Sequence, residues 1–173
     1  MNKVKIGVVG AGIYGTYHIR TYKCDPNVEK VVFCDLNEER KRIAEEKFGI
    51  KGYTSIKEMI ETEKLDAVSI ATSDPYHFEP CKDAIESGIK YLLIEKPMAL
   101  TVKECEEIIE LAKKNGVKIS VDFHKRWDPA YNCIKTDIKS EDKKIIRGYM
   151  SLDDVIAVPE NWFTWTDKSS PAW

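Results

Sequence analysis

Three glycines, Gly10, Gly12 and Gly15, punctuate the stretch KIGVVGAGIYG, between an apolar run and a segment with helical spacing. The run at Val4–Val9 reads as a strand and residues 13–22 read as a helix. In a GxGxxG at such a strand-to-helix turn, the first glycine permits the tight turn and the second lets the backbone approach a pyrophosphate. The third lets helix and strand pack closely. N–H groups at the helix start, reinforced by its dipole, bind phosphate without a cationic side chain. Gly10, Gly12, Ile13, Tyr14 and Gly15 are therefore the expected phosphate-binding residues.

Asp35 strengthens this reading. It lies 20 residues after Gly15 (35 − 15), at the end of the next strand, residues 31–35. A carboxylate there accepts hydrogen bonds from the adenosine ribose hydroxyls. It also repels a 2′-phosphate, which favours NAD over NADP, although Arg40 and Lys41 lie one helical turn later and could reach back. The competing reading makes the glycines ordinary turn residues and Asp35 a cap for the helix at 37–48.

The remaining chain repeats the alternation of short β-branched runs with longer helical patterns. Further strands are expected at 67–71, Tyr91–Glu95 and 118–121. Ser55 (SIKE) and Thr101 (TVKE) each precede a glutamate by three residues, the reciprocal capping pattern of a helix start. Gly88 and Gly116 fall where helices beginning at Phe78 and Val102 should end. Continuously apolar strands in βαβ order indicate an α/β fold: a Rossmann-type doubly wound parallel sheet over residues 1–122. After Asp122 the rhythm changes. Asp128 and Pro129 suit an N-cap and first helical position for a helix to about Ser140, and residues 143–152 read as one more strand. Residues 123–173 are thus expected to be a connecting helix and the beginning of a second α/β domain.

Composition narrows the partners. Charged residues make up 32% of the chain yet leave a formal net charge of −2, so no broad cationic surface for nucleic acid or membrane is evident. The N-terminal apolar stretch is too short to span a bilayer and lacks a signal-peptide pattern, which leads us to expect a cytoplasmic protein. The five cysteines are scattered singly without metal-ligand spacing, so no disulfide framework or metal is expected.

Two more stretches carry chemistry. ATSDPYH, residues 71–77, follows a strand, where ligands of open α/β sheets bind, so Thr72, Ser73 and His77 would border the cofactor crevice; alternatively, this stretch forms only a turn capping the next helix. YLLIEKPMAL, residues 91–100, ends a buried strand in Glu95, Lys96 and Pro97, because proline removes a ladder donor. Lys96 would sit at the same edge. Beside a positive nicotinamide, like charge and desolvation would lower its pKa and suit it to hydrogen-bond or deprotonate a substrate hydroxyl. The alternative is an exposed Glu95–Lys96 pair of little energetic value. His18, inside the first helix, reads as a packed or surface side chain.

VVGAGIYG, IATSDPYH, EKPMAL and VDFHKRWDPAY, in this order and spacing, resemble the Gfo/Idh/MocA oxidoreductases, named for glucose–fructose oxidoreductase and inositol dehydrogenase. The resemblance covers essentially residues 3–173. It implies a Rossmann domain followed by an α/β domain that forms the substrate site and commonly the oligomer interface. It also implies a nicotinamide-dependent reaction at a carbinol carbon of a sugar, cyclitol or related polyol. By that similarity Lys96 is the catalytic lysine near the reacting hydroxyl, and Arg126 and Trp127 lie beside the substrate, with His124 in the same segment. Relatives carry, beyond the point matching Trp173, an Asp and His motif and most of a second sheet. The expectation is therefore an amino-terminal portion of such a dehydrogenase; the alternative is a catalytically inactive dinucleotide-binding or assembly module. The aromatic tail with Trp162, Phe163, Trp165 and Trp173 predicts self-association, hence a homo-oligomer.

Overall fold

Residues along each central strand alternate between two cores. Val8 and Phe33 join Ile19, Ala44 and Phe48 on one face, while Val9, Val32 and Cys34 join Met59, Ile85 and Ile108 on the other. A strand whose successive side chains point to opposite faces can be apolar throughout only if helices cover both faces. The computed structural model, which describes residues 3–140 and 147–149, has that arrangement.

Strands β1 (Val4–Val9), β2 (Val28–Cys34), β3 (Gly52–Tyr53), β4 (Ala67–Ile70), β5 (Tyr91–Glu95) and β6 (Lys118–Asp122) form one sheet in the order β3-β2-β1-β4-β5-β6. Every pairing is parallel. Helices α1 (Ile13–Cys24) and α2 (Glu38–Phe48) supply the core with Ile19, Ala44 and Phe48. Helices α3 (Ile56–Glu63), α4 (Phe78–Glu86) and α5 (Val102–Asn115) supply the other. The strand order reverses between β1 and β4, which opens a crevice at their carboxyl ends. Each fully buried Ile, Leu or Phe stabilises this sandwich by about 1.5–3 kcal/mol.

Helix ends follow local chemistry. Thr101 Oγ1 accepts the Glu104 N–H and the Glu104 side chain returns to the Thr101 N–H, the complete reciprocal cap. Ser55 takes the Glu58 N–H at 3.3 Å, and Asn37 takes the Arg40 N–H at 2.9 Å, so Asn37 is the cap of α2 and not its first residue. Gly116 ends α5 in the left-handed conformation at φ 71°.

Several boundaries differ from the sequence reading. Strand β2 begins at Val28, because Glu29 and Lys30 lie at its exposed start, and ends at Cys34, one residue short of Asp35. Strand β4 ends at Ile70, β6 reaches Asp122, and α1 runs two residues further, to Cys24. The two-residue β3 has no periodicity to read.

The chain divides into two compact units, the first ending at Asp122 and the second starting at Phe123. In the second unit a 3-10 turn, His124–Trp127, leads into helix α6, Pro129–Ser140. Asp128 Oδ1 accepts the Ala130 N–H at 3.0 Å, the expected cap. The strand expected at 143–152 and the aromatic tail fall largely or wholly outside the described residues. Among the described residues, no helix is long and apolar enough to cross a membrane.

Candidate cofactor and active site

Register fixes which chain segments share the crevice. Val9 pairs with Ile70, and Ile70 with Ile94, so Gly10, Thr72 and Glu95–Lys96 emerge together at the carboxyl edge of β1, β4 and β5.

The glycine turn is tightly built. Gly10 adopts φ +92°, and a Cβ there would stand 2.7 Å from the Ala71 carbonyl oxygen, so a side chain is excluded by backbone conformation and by β4. Its N–H donates to the Cys34 carbonyl at 2.8 Å, which holds the turn against β2. Gly12 is the N-cap of α1 and can offer no side-chain cap. A Cβ on it would meet nothing nearer than Arg40 Nη1 at 4.0 Å. The helix start is thus open in front of Gly12 and closed behind Gly10. Ile13 and Tyr14, in the first turn, are 49% and 44% exposed.

Asp35 follows β2 and is buried. Its Oδ2 accepts the Ala11 N–H and its Oδ1 the Asn37 N–H, each at 2.9 Å. The carboxylate therefore ties the glycine turn to the start of α2, and supporting that helix is part of its work. Arg40 does reach back, with Nε 3.6 Å from Asp35 Oδ2. Lys41 instead pairs with Glu38 at 2.9 Å, which raises the lysine pKa. A carboxylate offers about four acceptor positions, so two backbone donors leave capacity for ribose hydroxyls.

After β4, Thr72 Oγ1 donates to the Tyr76 carbonyl at 2.7 Å and steadies the 3-10 turn Asp74–Tyr76, which Ser73 precedes as N-cap. His77 is only 1% exposed. Its Nδ1 lies 2.6 Å from the Pro97 carbonyl and its Nε2 3.0 Å from the Thr72 carbonyl. The ring therefore lies between the segments that follow β4 and β5, with a carbonyl acceptor facing each of its nitrogens. Glu95 is buried, Lys96 is half-buried, and the Lys96–Pro97 peptide is cis.

Sequence reasoning did not foresee what gathers around His18. The imidazole is buried, with Nδ1 2.6 Å from Ser69 Oγ on β4 and Nε2 3.0 Å from Glu95 Oε1 at the end of β5. Asp122 Oδ2, at the end of β6, lies 3.7 Å from the same Nε2. Tyr22, one turn further along α1, donates to Ser69 Oγ at 3.4 Å. Burial raises the Tyr22 phenol above its ordinary pKa, and the Asp122 and Glu95 carboxylates add to this against the Ser69 hydrogen bond, so the phenol keeps its proton at neutral pH. The only signal in the sequence is a polar side chain at the helix position next to Ile19, a residue with no exposure.

In the second unit, Trp127 is 80% exposed, and Arg126 stacks its guanidinium 5.9 Å from the Phe123 ring. The Asn132 side chain donates to the Arg126 carbonyl at 3.1 Å, joining the turn that contains His124 to α6.

The first unit suits a dinucleotide by its own geometry. An unobstructed Gly12, a helix N-terminus without a side-chain cap and an anchored carboxylate one strand away are what a pyrophosphate and an adenosine ribose require. Gly10, Gly12, Ile13, Tyr14, Gly15 and Asp35 would hold such a group.

Comparison with known proteins agrees. Residues 4–123 match the Gfo/Idh/MocA family, described as an oxidoreductase family with an NAD-binding Rossmann fold. The chain is 32% identical over 141 residues to inositol 2-dehydrogenase of Salmonella typhimurium, covering 79% of this chain and 42% of that protein. It is 30% identical over 135 residues to D-apiose dehydrogenase of Paraburkholderia graminis, covering 78% and 36% respectively. The crystal structure of myo-inositol 2-dehydrogenase from Lactobacillus plantarum superposes with a TM-score of 0.73 at 27% identity, over 82% of this chain and 42% of that one. The chain thus spans about two fifths of the length of the curated relatives it matches.

Proposed function

Because the chain belongs to the Gfo/Idh/MocA oxidoreductase family, whose NAD-binding Rossmann fold covers residues 4–123, we propose that it is the nucleotide-binding portion of an NAD-dependent dehydrogenase. The substrate class is a sugar, cyclitol or related polyol, oxidised or reduced at a carbinol carbon. Two relatives named for inositol and apiose support that class. The observation that carries the proposal is the single sheet edge on which the open Gly12 turn, the end of β4 and the Glu95–Lys96 segment emerge side by side.

Bound NAD supplies hydride exchange with the substrate carbon. The residues of this chain do the rest. The α1 N-terminus holds the pyrophosphate, Asp35 the adenosine ribose, and Thr72, Ser73, His77 and Glu95 shape the crevice wall. Lys96, as catalytic residue, binds the reacting hydroxyl and exchanges its proton as alcohol and carbonyl interconvert. His124, Arg126 and Trp127 are assigned to the substrate side. Residues 1–122 act as the cofactor domain and 123–173 as the connecting helix and start of the substrate and oligomer domain; the boundary between Asp122 and Phe123 is supported by the change of compact unit there. Solution as a cytoplasmic homo-oligomer completes the proposal.

Lys96→Ala in the whole protein tests it. Turnover should fall about 10²–10⁴-fold while NADH binding persists. Unchanged turnover overturns the role of Lys96.

A further inference from the structure

The side chain beside the crevice that the proposed reaction does not use is His18. Its partners define a hydrogen-bond chain with one direction. Tyr22 O–H donates to Ser69 Oγ, and the Ser69 hydroxyl can in turn donate to His18 Nδ1. Nε2 then carries the ring proton and donates to Glu95 Oε1 at 3.0 Å. The second Glu95 oxygen accepts the backbone N–H of Lys96 at 3.3 Å. The tautomer is assigned from Glu95: its carboxylate can only accept, so Nε2 carries the proton of the neutral ring and Nδ1 accepts from Ser69.

The chain joins three elements that must agree for the chemistry. Helix α1 presents its first turn to the pyrophosphate, and His18 lies six residues after Gly12 (18 − 12) on that same helix. Strand β4 contributes Ser69, and β5 ends in the acid that precedes Lys96. A buried polar network of this kind is stable only while every member is paired, so it admits one arrangement of its ends. Among the described residues, no buried side-chain polar atom lacks a partner.

We propose that His18 is a positioning residue for Lys96: through Glu95 it fixes the backbone on which the lysine stands and couples that placement to the cofactor-binding helix. This rests on the dehydrogenase reading for its catalytic meaning. Asp122 contributes a second carboxylate to the same imidazole, and the ligand atoms of His18, Glu95 and Asp122 lie within 4.8 Å of one another. The hydrogen bonds above account for His18 and Glu95 without an ion.

The test is competitive acetylation of lysines in the 173-residue chain, read peptide by peptide, alongside NADH titration. His18→Phe keeps an aromatic ring and removes both bonds. It should change the labelling rate of Lys96 by about threefold to tenfold, the scale of a lost hydrogen bond, and leave the exposed Lys103 unchanged. His18→Gln, whose amide can still donate to Glu95, should return Lys96 towards the original rate. If His18→Phe does not fold, Ser69→Ala cuts the same chain and should move Lys96 in the same direction. In the whole protein, His18→Phe should lower kcat with little change in NADH affinity. Lys96 labelling that stays constant in every folded variant overturns the positioning role, as does a shift in Lys96 labelling of the unsubstituted chain on adding zinc or EDTA. Failure of the unsubstituted chain to bind NADH strikes the dehydrogenase reading instead, so the two fail separately.

Discussion

A Cβ placed on Gly15 would stand 1.8 Å from the carbonyl oxygen of Gly10. The third glycine of the motif is thus a packing requirement: α1 rests directly on the turn that follows β1. Gly12, with 4.0 Å of clearance, is its opposite. Gly15→Ala should therefore destabilise the chain by about 1–3 kcal/mol or more, because backbone must move. Gly12→Ala should keep the melting temperature and lose NADH affinity. Thermal melts and NADH titrations of both variants separate the two roles; equal destabilisation would contradict the assignment.

The proposed preference for NAD over NADP turns on Asp35 and its neighbour Arg40. Removing the carboxylate charge leaves Arg40, 3.6 Å away, to face a 2′-phosphate. Asp35→Asn should shift the NADPH-to-NADH affinity ratio towards NADPH by about tenfold, or ~1.4 kcal/mol. A stability loss of about 1–3 kcal/mol should accompany it, since the Ala11 and Asn37 N–H groups lose a charged acceptor. Paired titrations read the ratio, and an unchanged ratio would mean that Asp35 does not select the nucleotide.

How much of this was legible in the sequence depends on how local each signal is. The glycine turn, the Thr101 cap, the left-handed Gly116 and the alternation of strands and helices are short-range, and the parallel Rossmann-type sheet follows from them. The early start of β2 was hidden because Glu29 and Lys30 interrupt the apolar run where the sheet reaches solvent. The polar network was hidden for a different reason. Ser69 and Glu95 lie 51 and 77 residues from His18, and only the sheet order brings them together. His77 carried two readings in the sequence, and its contacts with the Thr72 and Pro97 carbonyls depend equally on β4 lying beside β5.

The cysteines give a prediction independent of the cofactor. Burial pushes the thiols of Cys34 and Cys81 up to about 12, Asp35 adding to the first and Cys105 to the second. A pKa raised by folding gives stability that is whole below the ordinary thiol value and is lost as pH rises towards the folded value. Stability should therefore decline between about pH 9 and 12, by up to about 1.4 kcal/mol per pH unit for each thiol. Alkylation at pH 8 should modify exposed Cys24 and Cys133 in the native chain and spare Cys34 and Cys81 until it is unfolded. Rapid native labelling of Cys34 would contradict its place in the core.

The central claim is that the edge built by Gly10, Gly12, Gly15 and Asp35 binds NAD. Calorimetric titration of the 173-residue chain with NADH and NADPH in parallel tests it most directly. The account predicts saturable binding of NADH, weaker binding of NADPH, and loss of the NADH signal in Gly12→Ala. Binding of neither nucleotide by a chain that melts cooperatively would contradict it.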